Sequence, residues 1–225
     1  MNKRWLMMLA LPLAAASASV LTPTRAADHL DSEGPVADPT ADIADVYTWM
    51  SGPGRVALVM TVGGPLATAS TRFSDAVDYR FAIKNVAKAD GAGFVPVLGP
   101  SRDIVCTFDA GAPQTVTCRG AGGAISKTFK VGDPAACAAA DDMCVWAGLR
   151  ADPFFFDLAA FNRVPDAGAG AFREAGADDF FKNSRVLAIV VDVDAAKLLA
   201  TDSFDAGPDA SATPVVAVAA ETVRR

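Results

Sequence analysis

Alternating and continuous apolar runs along the chain predict β-strands. In Val77–Lys84, Val, Tyr, Phe and Ile occupy every second position, which is the pattern of a strand with one buried face. The runs Arg55–Val62 and Arg185–Val191 are short and mostly apolar, which favours central strands buried on both faces. Ile43–Met50 and Val215–Ala219 add two strands near the ends. We therefore predict an all-β fold, a mainly antiparallel β-sandwich with a few short helices.

The clearest predicted hairpin contains two of the four cysteines. Cys106 and Phe108 share one face of its first strand, Val116 and Cys118 share one face of the second, and residues 109–113 form the turn. A register that sets Phe108 against Val116 also sets Cys106 against Cys118. One pairing thus satisfies the apolar faces and predicts a disulfide.

The other two cysteines, Cys137 and Cys144, would close a small second loop. An even number of cysteines in an exported chain indicates disulfides. Zinc is the alternative, but its sites usually contain a C-x2-C pair, which is absent here, and the chain has only one histidine. Two disulfides are therefore the favoured interpretation, and for Cys106 and Cys118 two buried free thiols are the weaker one.

A helix is predicted after Asp152, because Asp152 followed by Pro153 fits an N-cap with proline at the first helical position. Phe154, Leu158 and Phe161 would then fall at i, i+4 and i+7 on one buried stripe. This places the three aromatic and aliphatic side chains in the core.

Three charged residues around this helix are predicted to be structural. Arg150 would form a partly buried ion pair with Asp152, and Asp157 would support the first helical turn and its loop. A second short helix is predicted over Asp194–Ala200, with Asp194 as its cap.

The first twenty-six residues have the layout of a secretory signal peptide. Lys3 and Arg4 precede an apolar stretch, and Thr24-Arg25-Ala26 offers a cleavage site that ends in a small residue. We predict a signal peptide at 1–26 and a single β-sandwich-like domain at 27–225. The expected location is the periplasm or the medium, with no membrane span after cleavage.

Charge excludes several classes of partner. The whole chain has a net charge of −6, and removing residues 1–26 takes away three basic residues and no acidic one, which leaves −9. An acidic chain without basic clusters argues against nucleic acid and anionic membranes as partners. An envelope protein or a small ligand is the expected partner.

Acidic residues and the single histidine concentrate after the predicted cleavage site. If the mature chain begins Ala27-Asp28-His29, its free amine, two backbone amides and the imidazole can form a square-planar nitrogen set. Such a set binds Cu(II) or Ni(II). The structural alternative is that His29 ties down the first strand without any metal.

A calcium site is the second metal hypothesis. Its ligands would be the carboxylates near the start of the mature chain, namely Asp31, Asp38, Asp42 and Asp45. The structural alternative for Asp42 and Asp45 is that they cap the first strand or pair with Arg150 or Arg185.

Catalysis is poorly supported by the sequence. The chain contains no G-x-S-x-G nucleophile elbow and no G-x-G-x-x-G fingerprint, and its single histidine lies near the mature N-terminus. Acidic residues are plentiful, but an acidic surface is weak support for glycosidase chemistry. We therefore predict a non-enzymatic exported binding domain, with metal handling as the alternative function.

Several motifs resemble an exported bacterial family, domain of unknown function family 4331. They are ADHLDS at 27–32, DPTADIADVY at 38–47, AGLRADPFFFDL at 147–158 and RVLAIVV at 185–191. The chain departs from the family pattern at Ala151, where an acid is common. The resemblance implies export and a mainly β domain, and it implies no activity.

The N-terminal metal hypothesis predicts a stoichiometric copper site. Titrating the mature protein with Cu(II) at neutral pH should give one bound equivalent and a visible band typical of four-nitrogen copper. Both should be lost in His29→Ala and in protein that carries one extra N-terminal residue, because the free amine must lie two residues before the imidazole. Binding that survives the extra residue would contradict this mode.

Overall fold

The computed structural model describes residues 37–89, 93–96, 101–120, 123–133, 138, 140–172, 176–199 and 216–225. The strands in these ranges are β1 (Ile43–Gly52), β2 (Arg55–Val62), β3 (Val77–Ala89), β4 (Gly93–Pro96), β5 (Arg102–Phe108), β6 (Thr115–Gly120), β7 (Ile125–Lys130), β8 (Met143–Ala151), β9 (Arg185–Asp194) and β10 (Val216–Arg224). The predicted signal peptide lies outside the described residues.

Helices are few and short. They are α1 (Leu158–Phe161), α2 (Val164–Ala167) and α3 (Ala195–Leu199), with 3-10 turns at Pro39–Ala41 and Gly168–Ala171. None of the helices in the described ranges is long and apolar enough to cross a bilayer.

The strands form two antiparallel sheets. Sheet A has the order β1-β2-β9-β8, and sheet B has the order β10-β3-β5-β6-β7, with β4 paired to the far end of β3. Every strand pair within the sheets is antiparallel. The predicted all-β sandwich with a few short helices is confirmed.

The edges of the two sheets approach each other on both sides of the sandwich. Thr222 Oγ1 in β10 donates to the Ala41 carbonyl just before β1, at 2.7 Å. On the other side, the Gly132 amide after β7 donates to the Ala147 carbonyl in β8, at 2.8 Å. These contacts hold the sheets face to face over one core.

Strand alternation fills that core as the sequence predicts. Val77, Tyr79, Phe81 and Ile83 are at most 1% exposed and belong to one apolar cluster with the inner face of sheet A. β2 and β9 lie in the centre of sheet A, and their side chains are buried on both faces except near the ends and at Val190. The prediction of two central strands is confirmed.

The predicted hairpin is β5 and β6, and its register is the predicted one. Phe108 lies opposite Val116 and Cys106 lies opposite Cys118. The two cysteines form a disulfide with their Cα atoms 4.0 Å apart. Cys144 is also disulfide-bonded, and Cys137 lies outside the described residues, so the second pairing stays a prediction.

Two edge strands were not predicted from the sequence. β7 has only two apolar residues, Ile125 and Phe129, among serine, threonine and two lysines, and β8 contains Gly148 and ends in Arg150-Ala151. Edge strands carry polar residues and glycine more often than central strands, so their apolar pattern is weaker. β8 occupies the segment that the sequence suggested as the approach to a helix.

The predicted N-cap at Asp152 is wrong. The Asp152 amide instead donates to the Ser184 carbonyl at 3.0 Å, which continues the pairing of the two chain segments beyond β8 and β9. Helix α1 begins later, and Asp157 caps it by accepting from the Ala160 amide at 2.8 Å. By contrast, α3 forms where predicted, with Asp194 accepting from the Ala196 amide.

The predicted buried stripe is also wrong. Phe154 is 41% exposed and Phe161 is 42% exposed, because the helix that would align them does not form across Pro153. Phe154 instead follows a turn that is closed by its amide donating to Asp152 Oδ1 at 3.0 Å.

Moving the cap to Asp157 changes the expected effect of mutations. Asp157→Ala should lower the free energy of unfolding by about 1 kcal/mol, since the helix loses its cap. Asp157→Asn should retain most of the stability, because asparagine also accepts the amide bond. Urea unfolding followed by far-UV circular dichroism measures both. An equal or larger loss in Asp152→Ala would contradict this assignment.

Candidate functional site

The face of sheet A that points away from the core carries aromatic residues at both edges. Tyr47, Val59, Val190 and Trp146 stand side by side across β1, β2, β9 and β8. Their neighbours are small, and Ala188 on this face is 4% exposed although it is not part of the core cluster. This outer face is therefore apolar in its centre.

Arg150 lies on this outer face and stacks on Trp146. Its guanidinium carbon is 3.6 Å from the centre of the indole ring, a cation–π contact. Gly148 lies between them in sequence on the same face, and a Cβ there would come within 2.8 Å of the Trp146 ring. The predicted ion pair between Arg150 and Asp152 is not among the contacts of the described residues; Arg150 instead contacts Trp146, and its Nη1 donates to the Leu149 carbonyl at 3.1 Å.

Tyr47 and two carboxylates come together beside this face. Burial, followed by the charges of Asp45 and Asp152, raises the pKa of Tyr47 to about 12. Its hydroxyl oxygen is buried and has no partner among the described residues at full hydrogen-bond geometry, although a side-chain interaction with the Asp45 carboxylate also contributes to the raised pKa. A Cβ on Gly64 would lie 2.9 Å from Val186 Cγ1 and 3.3 Å from the Ala44 Cβ, so the packing beside this cluster requires glycine, and Asp152 Oδ2 lies 4.0 Å from the same point.

Asp45 has further contacts that orient it. Its amide donates to Thr61 Oγ1 at 3.0 Å, and Thr61 Oγ1 donates to Asp45 Oδ2 at 3.4 Å. Thr61 is 1% exposed, so this exchange satisfies a buried hydroxyl. The cluster thus places a protonated phenol, a donor, beside two carboxylate acceptors.

The predicted copper ligands Ala27, Asp28 and His29 lie outside the described residues, as does Asp31. Asp38 and Asp42 lie within them. Asp38 Oδ1 accepts from the Thr40 amide and from Thr40 Oγ1, at 3.2 and 2.7 Å, so it caps the first 3-10 turn.

Asp42 is 6% exposed and lies at the start of β1, where its carbonyl accepts from the Gly63 amide at 3.0 Å. Within the described ranges, no three His, Cys, Asp or Glu side chains come together as a metal site would require. The calcium and copper hypotheses stay predictions, since Asp31 and the residues at 27–29 lie outside the described residues.

The connection from β8 to β9, residues 152–184, exposes most of the aromatic surface. Five phenylalanines on it are among the exposed large apolar residues of the described chain, namely Phe154, Phe155, Phe161, Phe172 and Phe180, at 41 to 60% exposure. Among the described strands, β1 exposes three large apolar side chains and β10 exposes one, so the connection carries the largest group of them. Contiguous exposed apolar surface of this kind marks interaction sites.

Three of these rings and two neighbouring ones form a connected series of contacts, which we name the phenylalanine cluster: Phe154, Phe156, Phe161, Phe180 and Phe181. Adjacent ring centres are 5.0 to 5.8 Å apart, the distance of favourable aromatic pairs. The cluster joins the outgoing and returning arms of the connection.

Two acidic side chains hold these arms together. Asp157 accepts from the Ala160 amide in its own arm and from the Asp178 amide in the other, at 2.8 and 3.3 Å. Asp179 accepts from the Phe156 and Phe181 amides, at 3.4 and 2.9 Å. The exposed rings are therefore displayed on a hydrogen-bonded frame, and Asp157 does more than the loop support expected of it.

The same connection is acidic. Residues 152–184 contain six acidic and three basic residues, a net charge of −3. One of the bases, Lys182, is paired with Asp178 at 2.6 Å. The phenylalanine cluster thus lies within negative surroundings.

Sequence reasoning missed this cluster and the partners of Tyr47. The run Phe154-Phe155-Phe156 was a usable signal, because three consecutive phenylalanines cannot share one buried helix face. Nothing in the spacing of Tyr47 and Asp152 could reveal their approach, since 105 positions separate them.

The chain matches no protein-family model, no curated protein and no solved structure. The resemblance to family 4331 therefore stays a prediction that depends on the quoted motifs.

The two tyrosines of the chain should titrate together and late. Burial raises the pKa of both Tyr47 and Tyr79 to about 12, against an ordinary value of 10.0. The folded state binds these protons more tightly, so the stability they contribute is present below pH 10 and is lost as pH rises towards 12.

Absorbance at 295 nm measures phenolate formation directly. The folded protein should show a single absorbance transition at high pH. In denaturant the transition should move to near the ordinary pKa of tyrosine. The folded Tyr47→Phe variant should show the same late transition with half the absorbance change. A folded tyrosine that ionises at its ordinary pKa would contradict the burial of that hydroxyl.

Proposed function

We propose that this chain is an exported, non-enzymatic binding domain that holds an amphipathic, basic segment of a partner protein on the phenylalanine cluster. The observation that carries this proposal is the exposure of the cluster, with Phe154 and Phe180 at 41 and 58%. Exposed contiguous apolar surface is costly in water and marks interaction sites.

The frame beneath the cluster supports a binding role. Asp157 and Asp179 fix both arms of the connection through backbone amides, so the rings lose little freedom when a partner docks. Preorganised aromatic side chains are efficient anchors, because the entropy cost of ordering them is already met on folding.

Charge supports the choice of partner. The net charge of −3 on residues 152–184 would repel acidic proteins and anionic lipid surfaces. A segment with an apolar stripe bordered by lysine or arginine complements both properties of the site. A helix of this kind presents its apolar stripe at i, i+3, i+4 and i+7.

Export and the absence of catalysis are the remaining parts of the proposal. The signal-peptide pattern and the Cys106–Cys118 disulfide support an oxidising compartment. A single histidine and the lack of a nucleophile motif support binding rather than catalysis.

Two synthetic helical peptides test the choice of partner. One combines leucine with lysine and the other combines leucine with glutamate, with the same apolar face. Fluorescence anisotropy of the labelled peptides should show binding of the lysine peptide and much weaker binding of the glutamate peptide. Added salt should weaken the former, because it screens the attraction between opposite charges.

Variants locate the site. The double variant Phe154→Ser/Phe180→Ser should lose binding and keep its folded far-UV circular dichroism spectrum, with only a small fall in melting temperature, since both side chains are exposed and lose a few ring contacts. Phe172→Ser is the matched control, because Phe172 is 49% exposed on the same connection but makes none of the ring contacts described for the cluster. Equal binding of both peptides, or unchanged binding by the double variant, would refute the proposal.

A further inference from the structure

Strand β1 is an edge strand whose surface is exposed on both sides. Val46 and Met50 on one face are 37 and 60% exposed, and Trp49 on the other face is 52% exposed. Within the described residues β1 pairs only with β2, and the hydrogen bond from Thr222 of β10 goes to the Ala41 carbonyl, before β1 begins. No strand of the described ranges pairs with the far edge of β1 over residues 46–50.

This edge lacks the usual protection against pairing. β1 contains no lysine, arginine or proline, whereas the edge strand β7 carries Lys127 and Lys130 and the edge strand β10 carries Glu221 and Arg224. Charged residues on an edge prevent a second chain from adding to the sheet. β1 differs from these two edges in this respect.

The sequence of β1 is complementary to itself in one antiparallel register. With Thr48 opposite Thr48 of a second copy, Val46 lies opposite Met50 and Tyr47 lies opposite Trp49. Each apolar or aromatic side chain then meets another on the same face of the sheet. The only charged residue of the strand, Asp45, falls opposite Ser51, so no like charges meet.

The segment is also regular enough to pair. Residues 45–50 match β2 without interruption, and the irregularities of β1 lie outside them, between Ile43 and Asp45 and between Met50 and Gly52. A strand with a continuous ladder on one edge presents an equally regular row of amides and carbonyls on the other.

We propose that β1 is a homodimer interface, in which two copies of this chain join sheet A to sheet A around a two-fold axis at Thr48. The interface is isologous, so the same patch serves both copies. It is separate from the phenylalanine cluster, which lies on the connection between β8 and β9.

Sedimentation velocity from low to several hundred micromolar mature protein tests the dimer, since association depends on concentration. The wild type should shift from monomer to dimer. Val46→Lys should remain monomeric, because it places a charge in the apolar pair. Val223→Lys is the matched control and should behave as wild type, since Val223 is 36% exposed on the other edge strand β10.

Two further outcomes separate this proposal from its alternatives. Thr48→Cys should form a disulfide-linked dimer on oxidation and Thr128→Cys on β7 should not; absence of the Thr48 cross-link would overturn the register. Phe154→Ser/Phe180→Ser should still dimerise. A wild type that stays monomeric, or a dimer that is lost in the phenylalanine variant and kept in Val46→Lys, would overturn the β1 interface.

Discussion

The pairing of β2 with β9 is the constraint on which the rest of the molecule depends. These two strands pair over eight residues, from Arg55 opposite Asp194 to Val62 opposite Leu187. Their side chains are apolar on both faces, so one face requires the core of the sandwich and the other also requires cover. Large side chains at the flanks of the outer face, Tyr47 and the Trp146–Arg150 stack, follow from that requirement.

The two ends of sheet A have opposite characters. At one end Arg55 binds Asp192, and its Nη1 donates to the Asp141 carbonyl at 2.9 Å. Lys127 donates to Asp141 at 2.9 Å, and this hydrogen bond lowers the pKa of the Asp141 carboxyl. Ion pairs thus close this end. At the other end residues 152–184 connect β8 to β9, and the side chains of Asp157 and Asp179 hold the two arms of this connection together. Its phenylalanine rings face solvent.

The strongest strands could be predicted because their apolar pattern has a physical cause that is local. Arg55–Val62 and Arg185–Val191 are read correctly as central strands, and the hairpin register follows from matching Phe108 to Val116, which also pairs Cys106 with Cys118. The edge strands β7 and β8 could not be predicted in the same way, because edge strands bury less apolar surface and their sequences therefore show a weaker apolar pattern.

The sequence by itself determined the fold class, the central strands and the hairpin disulfide, since each depends on which residues avoid water within one short segment. Only the tertiary structure decided the site. The sequence pattern predicts Asp152 as a helix cap, but the return of the chain at Ser184 holds it in the strand pairing and beside Tyr47. The pattern also places Phe154 and Phe161 in the core, but the two sheets fill that core, so both rings lie at the surface. The closely packed core has room for a limited number of side chains, so whether one segment is buried depends on all the others and cannot be predicted from that segment alone.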